Sequence, residues 1–269
     1  MTAELNAGPQ WRVVDFISDV HLHASEPATV RAWQAYVHST RADALFILGD
    51  LFEVWVGDDA IDQHASVPSA DAEVEQQCIR TLADAGQRLD LFFMHGNRDF
   101  LAADRLMSAC HMRLLADPTT LVFAGQRWLL SHGDALCLAD TDYMRFRQSV
   151  RSPAWQSAFL ATALPERRAL AAELRRQSET HKRLASSYAD VDTPAALQWL
   201  ADAGARTLIH GHTHRPATHQ LDELGHRRVV LSDWDASAQP PRLQVLRLTL
   251  SAEHRAQAIE PQRIALEPA

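Results

Sequence analysis

Cysteine is scarce in this chain. Cys78, Cys110 and Cys137 are the only three in 269 residues, far apart and without a CxxC pair. That odd, scattered set argues against a disulfide framework or a thiolate zinc site and fits a reducing cytosol. Long hydrophobic runs are missing as well. No stretch approaches the roughly 18 apolar residues of a membrane span. The opening MTAELNAGPQ has no basic start followed by an apolar segment, so no secretory signal is expected. A basic excess is also lacking: 26 Lys and Arg face 34 Asp and Glu, a net charge of −8. A general nucleic-acid binder would normally be basic, so nucleic acid is not an expected partner.

What remains is a chain able to bury a sizeable core, since 46% of it is hydrophobic. Its length suits one large domain, or a core domain with an insert. Fourteen histidines are present, and several sit in short motifs beside acidic residues.

Short apolar runs at residues 12–18 (RVVDFIS), 44–48 (ALFIL), 91–94 (LFFM), 128–131 (WLLS) and 207–209 (TLI) read as strands, with residues 29–37 helical between the first two. Residues 228–231 and 243–250 read as a hairpin-like pair around QPP. Strands alternating with helical segments indicate an α/β fold. Residues 142–200 differ. Apolar residues there recur at helical spacing, and Pro153, Pro165 and Pro194 mark helix starts or breaks. Lying between two motif-bearing strands, this region reads as an insert or lid.

Each of the first five strands runs directly into a polar cluster: SDVHLH, GDLFE, HGNRD, SHGD and HGHTH. Ligands of α/β sheets gather at the carboxyl ends of strands, so the five loops can converge. Asp19 and His21 form a D-x-H pair that alternation at a strand end would aim to one side. Gly49-Asp50 offers a carboxylate with two oxygens at a sharp turn. Asn97 offers a neutral amide oxygen, and His132 an imidazole. His212 and His214, two apart, would project to one side if extended. Taken singly, each motif also reads as a turn, a cap or a satisfied histidine. His210 and His219 keep that bland reading. Glu53, Asp58, Asp59, Asp99 and Asp134 read either as groups orienting the ligands or as turn formers and caps. Trp55, Trp128 and Trp234 read as core.

In order, D-x-H, GD, GN, H and GHxH resemble the calcineurin-like metallophosphoesterase superfamily from residue 19 to residue 214. The resemblance implies a sandwich of two mixed β-sheets flanked by helices. The domain would span residues 11–250, with the helical insert at about 142–200 and terminal segments at 1–10 and 251–269. It also implies two metals: Asp19, His21, Asp50 and His214 on one, and Asp50, Asn97, His132 and His212 on the other. Oxygen and nitrogen donors without thiolate fit two manganese ions, with iron or another divalent metal as alternatives. Two such ions clamp a phosphoryl group and activate water.

Many members of the superfamily have GNH where this chain has Gly96-Asn97-Arg98. Arginine stays charged and cannot donate a proton at neutral pH, but it can hold phosphate oxygens. Arg98 therefore favours cleavage of a pyrophosphate, whose phosphate leaving group needs little protonation. The runs DLFEVWVGDD, HGNRDFL, HGDALC and HGHTHRP are similar to the UDP-2,3-diacylglucosamine diphosphatase family of lipid A biosynthesis. That resemblance implies manganese, a peripheral position on the cytoplasmic face of the inner membrane, and water attack on the α-phosphorus of a UDP-linked diacylated glucosamine. It implies substrate contacts at Asn97, Arg98, Asp140 and His212, with Ser178 and Lys182 as candidates in the insert, where SETHKRLASSYADVD departs from the commoner spacing. Residues 145–183 carry nine Lys or Arg against three Glu. Such a stretch could face an anionic bilayer as the lid of a protein expected to be a monomer, or be an ordinary helical pair with a solvated basic face. Other binuclear phosphodiesterases, nucleotide pyrophosphatases, nucleases and a metal-free scaffold of the same fold remain open at this point.

Overall fold

The computed structural model describes residues 2–62, 69–184, 189–250 and 259–268, with side chains left out over 175–184. Twelve strands lie within these residues. They are β1 (Ala3–Asn6), β2 (Val13–Ile17), β3 (Ala44–Leu48), β4 (Asp90–Met94), β5 (Met112–Leu115), β6 (Thr119–Phe123), β7 (Gln126–Ser131), β8 (Thr207–His210), β9 (Thr218–Gln220), β10 (Arg227–Val230), β11 (Gln244–Thr249) and β12 (Gln262–Ala265). The helices are α1 (Pro27–Ser39), α2 (Ala70–Ala85), α3 (Asp104–Ala109), α4 (Thr141–Val150), α5 (Pro153–Leu160), α6 (Leu164–Leu184) and α7 (Thr193–Ala203). No helix of the described residues is long and apolar enough to cross a membrane.

The strands form two six-stranded mixed sheets, ordered β1-β6-β7-β8-β10-β9 and β12-β11-β2-β3-β4-β5. Burial follows from the alternation of side chains along each strand. Phe16, Phe46 and Phe92 point between the sheets and stack at 5.1 and 4.5 Å between ring centroids. They meet Leu121, Trp128, Leu130 and Ile209 of the other sheet. Ile17, Leu45, Ile47 and Phe93 point the other way, onto Trp33 and Val37 of α1 and Cys78 and Leu82 of α2. Leu129 and Leu208 cover α7 through Ala196, Leu200 and Ala203. Strand β3 is buried at all five positions because both its faces are covered, which is why it reads as one unbroken apolar run. Trp55, Trp128 and Trp234 are all core residues.

The hairpin expected from 228–231 and 243–250 does not form. Strand β10 lies parallel to β8 in one sheet, whereas β11 lies antiparallel to β2 in the other. Each strand buries its apolar face against a different partner, and the intervening chain crosses between the sheets, with the Trp234 amide donating to the Asp19 carbonyl. Both chain ends contribute edge strands, β1 and β12.

The prolines act as start signals. Pro153 and Pro194 occupy the first turns of α5 and α7, where an amide has no partner to lose. Helices α4 to α6 extend from the end of β7, and α7 returns to pack beneath β7 and β8.

Candidate active site

The carboxyl ends of β2, β3, β4, β7 and β8 bring the five polar loops together. His214 Nε2 lies 3.2 Å from Asp19 Oδ1 and 3.5 Å from His21 Nε2. Asn97 Oδ1 lies 2.9 Å from His212 Nδ1 and 3.2 Å from His132 Nε2. Asp50 stands between the two groups, with Oδ2 3.9 Å from His21 Nε2 and Oδ1 3.8 Å from His132 Nε2. One oxygen of a single buried carboxylate thus faces each group.

This donor set fits a pair of divalent cations. The ligand atoms of Asp19, His21 and His214 lie within 4.8 Å of one another, as do those of Asp19, Asp50 and His132. Two imidazole Nε2 atoms at 3.5 Å need a proton or a cation between them. The donors are oxygens and nitrogens without thiolate, a combination suited to manganese, iron or a similar divalent ion. His132 fixes its orientation by directing Nδ1 to the Leu48 carbonyl at 2.9 Å, which leaves Nε2 for the site.

Backbone conformation, not strand alternation, aims these side chains. Strand β2 ends at Ile17 and β8 at His210, so neither D-x-H nor H-x-H is extended as the sequence suggested. Asp19, His21, Asp50, His212 and His214 instead adopt left-handed backbone, with φ of 53°, 53°, 52°, 65° and 51°. Such a conformation costs about 1–2 kcal/mol for a residue with a Cβ. Its concentration here marks a site where geometry is held against local preference. Gly96 shows how tight the packing is: a Cβ there would come 2.0 Å from Asp50 Oδ1.

The electrostatics follow from burial and proximity. Burial raises the Asp19 carboxyl, but His214, His132 and His21 outweigh it and hold the group below the ordinary carboxylate range. Burial opposes a charge on His132, yet Asp50, Asp19 and Asp134 raise it to about 9. His212 goes the other way, pushed down to about 3 by burial and by His132. Burial and the Asp50 charge push Asp99 up to about 6.

The sequence signature of the calcineurin-like phosphoesterases matches residues 13–216. The chain is similar to UDP-2,3-diacylglucosamine hydrolase from Cellvibrio japonicus, with 45% identity over 81% of this chain and 90% of that one. The corresponding protein of Chromohalobacter salexigens is 42% identical over 81% and 87%, and that of Aromatoleum aromaticum 44% over 83% and 89%. The chain belongs to the UDP-2,3-diacylglucosamine hydrolases, within the calcineurin-like phosphoesterase family. It is therefore a metallophosphoesterase and a hydrolase that uses divalent metal.

The remaining residues singled out in the sequence fall at varied distances from this centre. Arg98 is on the same loop as Asn97. Its amide donates to Asp50 Oδ1 at 2.9 Å, and its Nη1 lies 3.8 Å from Glu53 Oε1. Glu53 Oε2 is also 3.5 Å from His21 Nδ1. Asp140 is exposed and caps α4, accepting the Tyr143 amide at 3.0 Å. One turn on, the Tyr143 ring stacks on His212 at 5.8 Å. Ser178 and Lys182 fall on α6, but their side chains lie outside the described residues. His210 is buried, with Nδ1 against the Gly211 carbonyl, and His219 sits on β9, away from these contacts.

The carboxylates read two ways in the sequence divide by role. Asp99 accepts amides of both the Asp50 and Asn97 loops, Asp58 accepts the Trp55 indole and the Leu106 amide, and Asp59 pairs with Arg167. Asp134 accepts Tyr143 Oη at 2.6 Å and Arg147 Nε at 2.7 Å, which joins the insert to the loop of His132. One group escaped the sequence reading. Asp233 Oδ2 lies 3.8 Å from His214 Nδ1, behind that imidazole as Glu53 lies behind His21. It belongs to a sixth polar cluster, SDWD after β10, the same signal that disclosed the other five.

Proposed function

We propose that this chain hydrolyses the pyrophosphate bond of UDP-2,3-diacylglucosamine in lipid A biosynthesis, releasing UMP and 2,3-diacylglucosamine 1-phosphate. The observation that carries the reading is Arg98. A permanently charged guanidinium, largely buried, sits on the Asn97 loop beside Asp50, where other family members can place a proton donor. A pyrophosphate needs its developing charge neutralised more than it needs a proton.

Asp19, His21, Asp50 and His214 would hold one divalent ion, and Asp50, Asn97, His132 and His212 the other, with manganese as the proposed metal. Bound there, the pair supplies Lewis-acid polarisation of phosphoryl oxygens and a water of lowered pKa. Arg98 and Asn97 orient the substrate phosphates, and His212 and Asp140 flank them. The oxygen of water forms the new bond to the α-phosphorus. The bridging P–O bond breaks, its electron pair leaves with the lipid-side phosphate, and the water protons pass to solvent. Ser178 and Lys182 are the proposed contacts from α6. Exposed Phe146, Leu160 and Leu170 on the insert, with the basic excess of residues 145–183, support seating of a monomer on an anionic inner-membrane surface at the cytoplasmic face.

The test is turnover by chelated and Mn²⁺-reloaded protein on UDP-2,3-diacylglucosamine, a UDP-sugar and bis-p-nitrophenyl phosphate. The reading expects metal-dependent turnover concentrated on the lipid nucleotide. Preference for the diester would reassign the site to a general phosphodiesterase. No metal uptake and no turnover would leave only a scaffold.

A further inference from the structure

Arg167 is 2% exposed, in the first turn of α6. A guanidinium so placed must be fully bonded to be tolerated. Its Nε donates to the Thr162 carbonyl at 3.1 Å, its Nη1 to the Val56 carbonyl and its Nη2 to Asp59. Two of these partners belong to the loop that follows Glu53, and the approach is close because Gly57 lies beneath it. Gly57 has φ 128°, and a Cβ there would come 2.5 Å from Arg167 Nη1.

The loop that Arg167 grips in turn grips the site. The Trp55 amide, one residue before Val56, donates to the Arg98 carbonyl at 2.9 Å. Trp55 Nε1 donates to Asp58 at 2.9 Å, which fixes the turn between the two contacts. Glu53, at the start of the loop, stands 3.8 Å from the Arg98 guanidinium. From the other side of the insert, Arg151 Nη2 donates to the Gly96 carbonyl at 2.8 Å, next to Asn97.

We propose that Arg167 is a positioning residue, bracing the loop of Trp55 and Val56 from the insert and thereby setting where Arg98 meets the substrate. This role rests on the pyrophosphatase reading for its catalytic consequence, though not for its structural one. It couples docking of the insert to the group that selects a pyrophosphate.

The test combines hydrogen exchange with a mutant cycle on full-length protein. In Arg167→Met, amides of residues 95–101 should exchange faster while those of β3 and α2 stay protected. Turnover of UDP-2,3-diacylglucosamine should fall on the order of 10²-fold, as expected for a misplaced charge, with metal content unchanged. Arg98→Ala combined with Arg167→Met should lose no more than Arg98→Ala alone, since the second change acts through the first. Losses that multiply, or unaltered exchange over 95–101, would overturn the proposal. Should Arg167→Met fail to fold, Asp59→Asn removes one half-exposed partner and must show the same faster exchange; unaltered exchange there overturns the proposal equally. A wild-type chain inert toward the lipid nucleotide, with the exchange effect present, would remove the substrate reading and keep the coupling.

Discussion

Asp99 accepts the Leu51 amide at 2.8 Å through one oxygen and the Gly96 amide at 2.9 Å through the other. A single buried carboxylate therefore ties the loop of Asp50 to the loop of Asn97, two of the proposed metal-bearing loops. Replacing it with alanine leaves buried amides without an acceptor. Asp99→Ala should lower stability by at least about 3 kcal/mol and weaken metal binding by about 10–100-fold. Denaturant unfolding and metal titration measure both, and a variant of unchanged metal affinity would show that the loops hold themselves.

Arg98 should separate substrates. Arg98→Ala is expected to reduce turnover of a pyrophosphate by roughly 10²–10³-fold. Bis-p-nitrophenyl phosphate, which has no second phosphate for the guanidinium to hold, should lose far less. Equal losses on both would assign Arg98 to the metal site and not to the leaving group.

How much of this was legible in the sequence depends on the kind of signal. Strand β3 was readable because burial on both faces demands five consecutive apolar residues. The seven candidate ligands stood out because each lies in a polar cluster after a short apolar run. Strands β1 and β12 were not, since AELN and QRIA offer four residues with little alternation. Local pattern also cannot say which sheet a strand joins, so β10 and β11 looked like neighbours. The insert arginines show a different limit. A count of nine basic residues carries no direction, and in the folded chain Arg147, Arg151, Arg167 and Arg168 turn inward to Asp134, the Gly96 carbonyl, Asp59 and Glu75. The left-handed backbone that aims five of the donors has no signature in side-chain chemistry at all.

That division bears on the membrane. The proposed surface attraction is tested on four further basic residues of the count, Arg175, Arg176, Lys182 and Arg183, whose side chains lie outside the described residues. Replacing these four with glutamine should weaken binding to anionic vesicles by roughly 10²-fold or more, at about 1 kcal/mol per charge. Co-sedimentation measures it, and unchanged binding would place the contact elsewhere.

A small part of the acid sensitivity should trace to the point where the chain returns from the insert. Arg228 of β10 meets Asp190 through two hydrogen bonds of 2.7 Å and, against desolvation, holds its carboxyl down to about 2. A depressed carboxyl contributes stability that is present above its ordinary pKa of about 4 and lost as pH falls through the folded value. Asp190→Asn should therefore be less stable at neutral pH, yet lose less between pH 4 and pH 2. Partial exposure keeps the effect small. Urea midpoints across that range measure it, and parallel curves for the two proteins would contradict the assignment.

The most direct measurement is the fate of the solvent oxygen. Protein loaded with Mn²⁺ is incubated with UDP-2,3-diacylglucosamine in detergent made with H₂¹⁸O, beside Asp50→Ala, and the products are weighed by mass spectrometry. The account predicts UMP carrying the heavy oxygen, unlabelled 2,3-diacylglucosamine 1-phosphate, and no turnover by the variant. Label on the lipid phosphate would contradict attack at the α-phosphorus, and an intact substrate would contradict the pyrophosphatase itself.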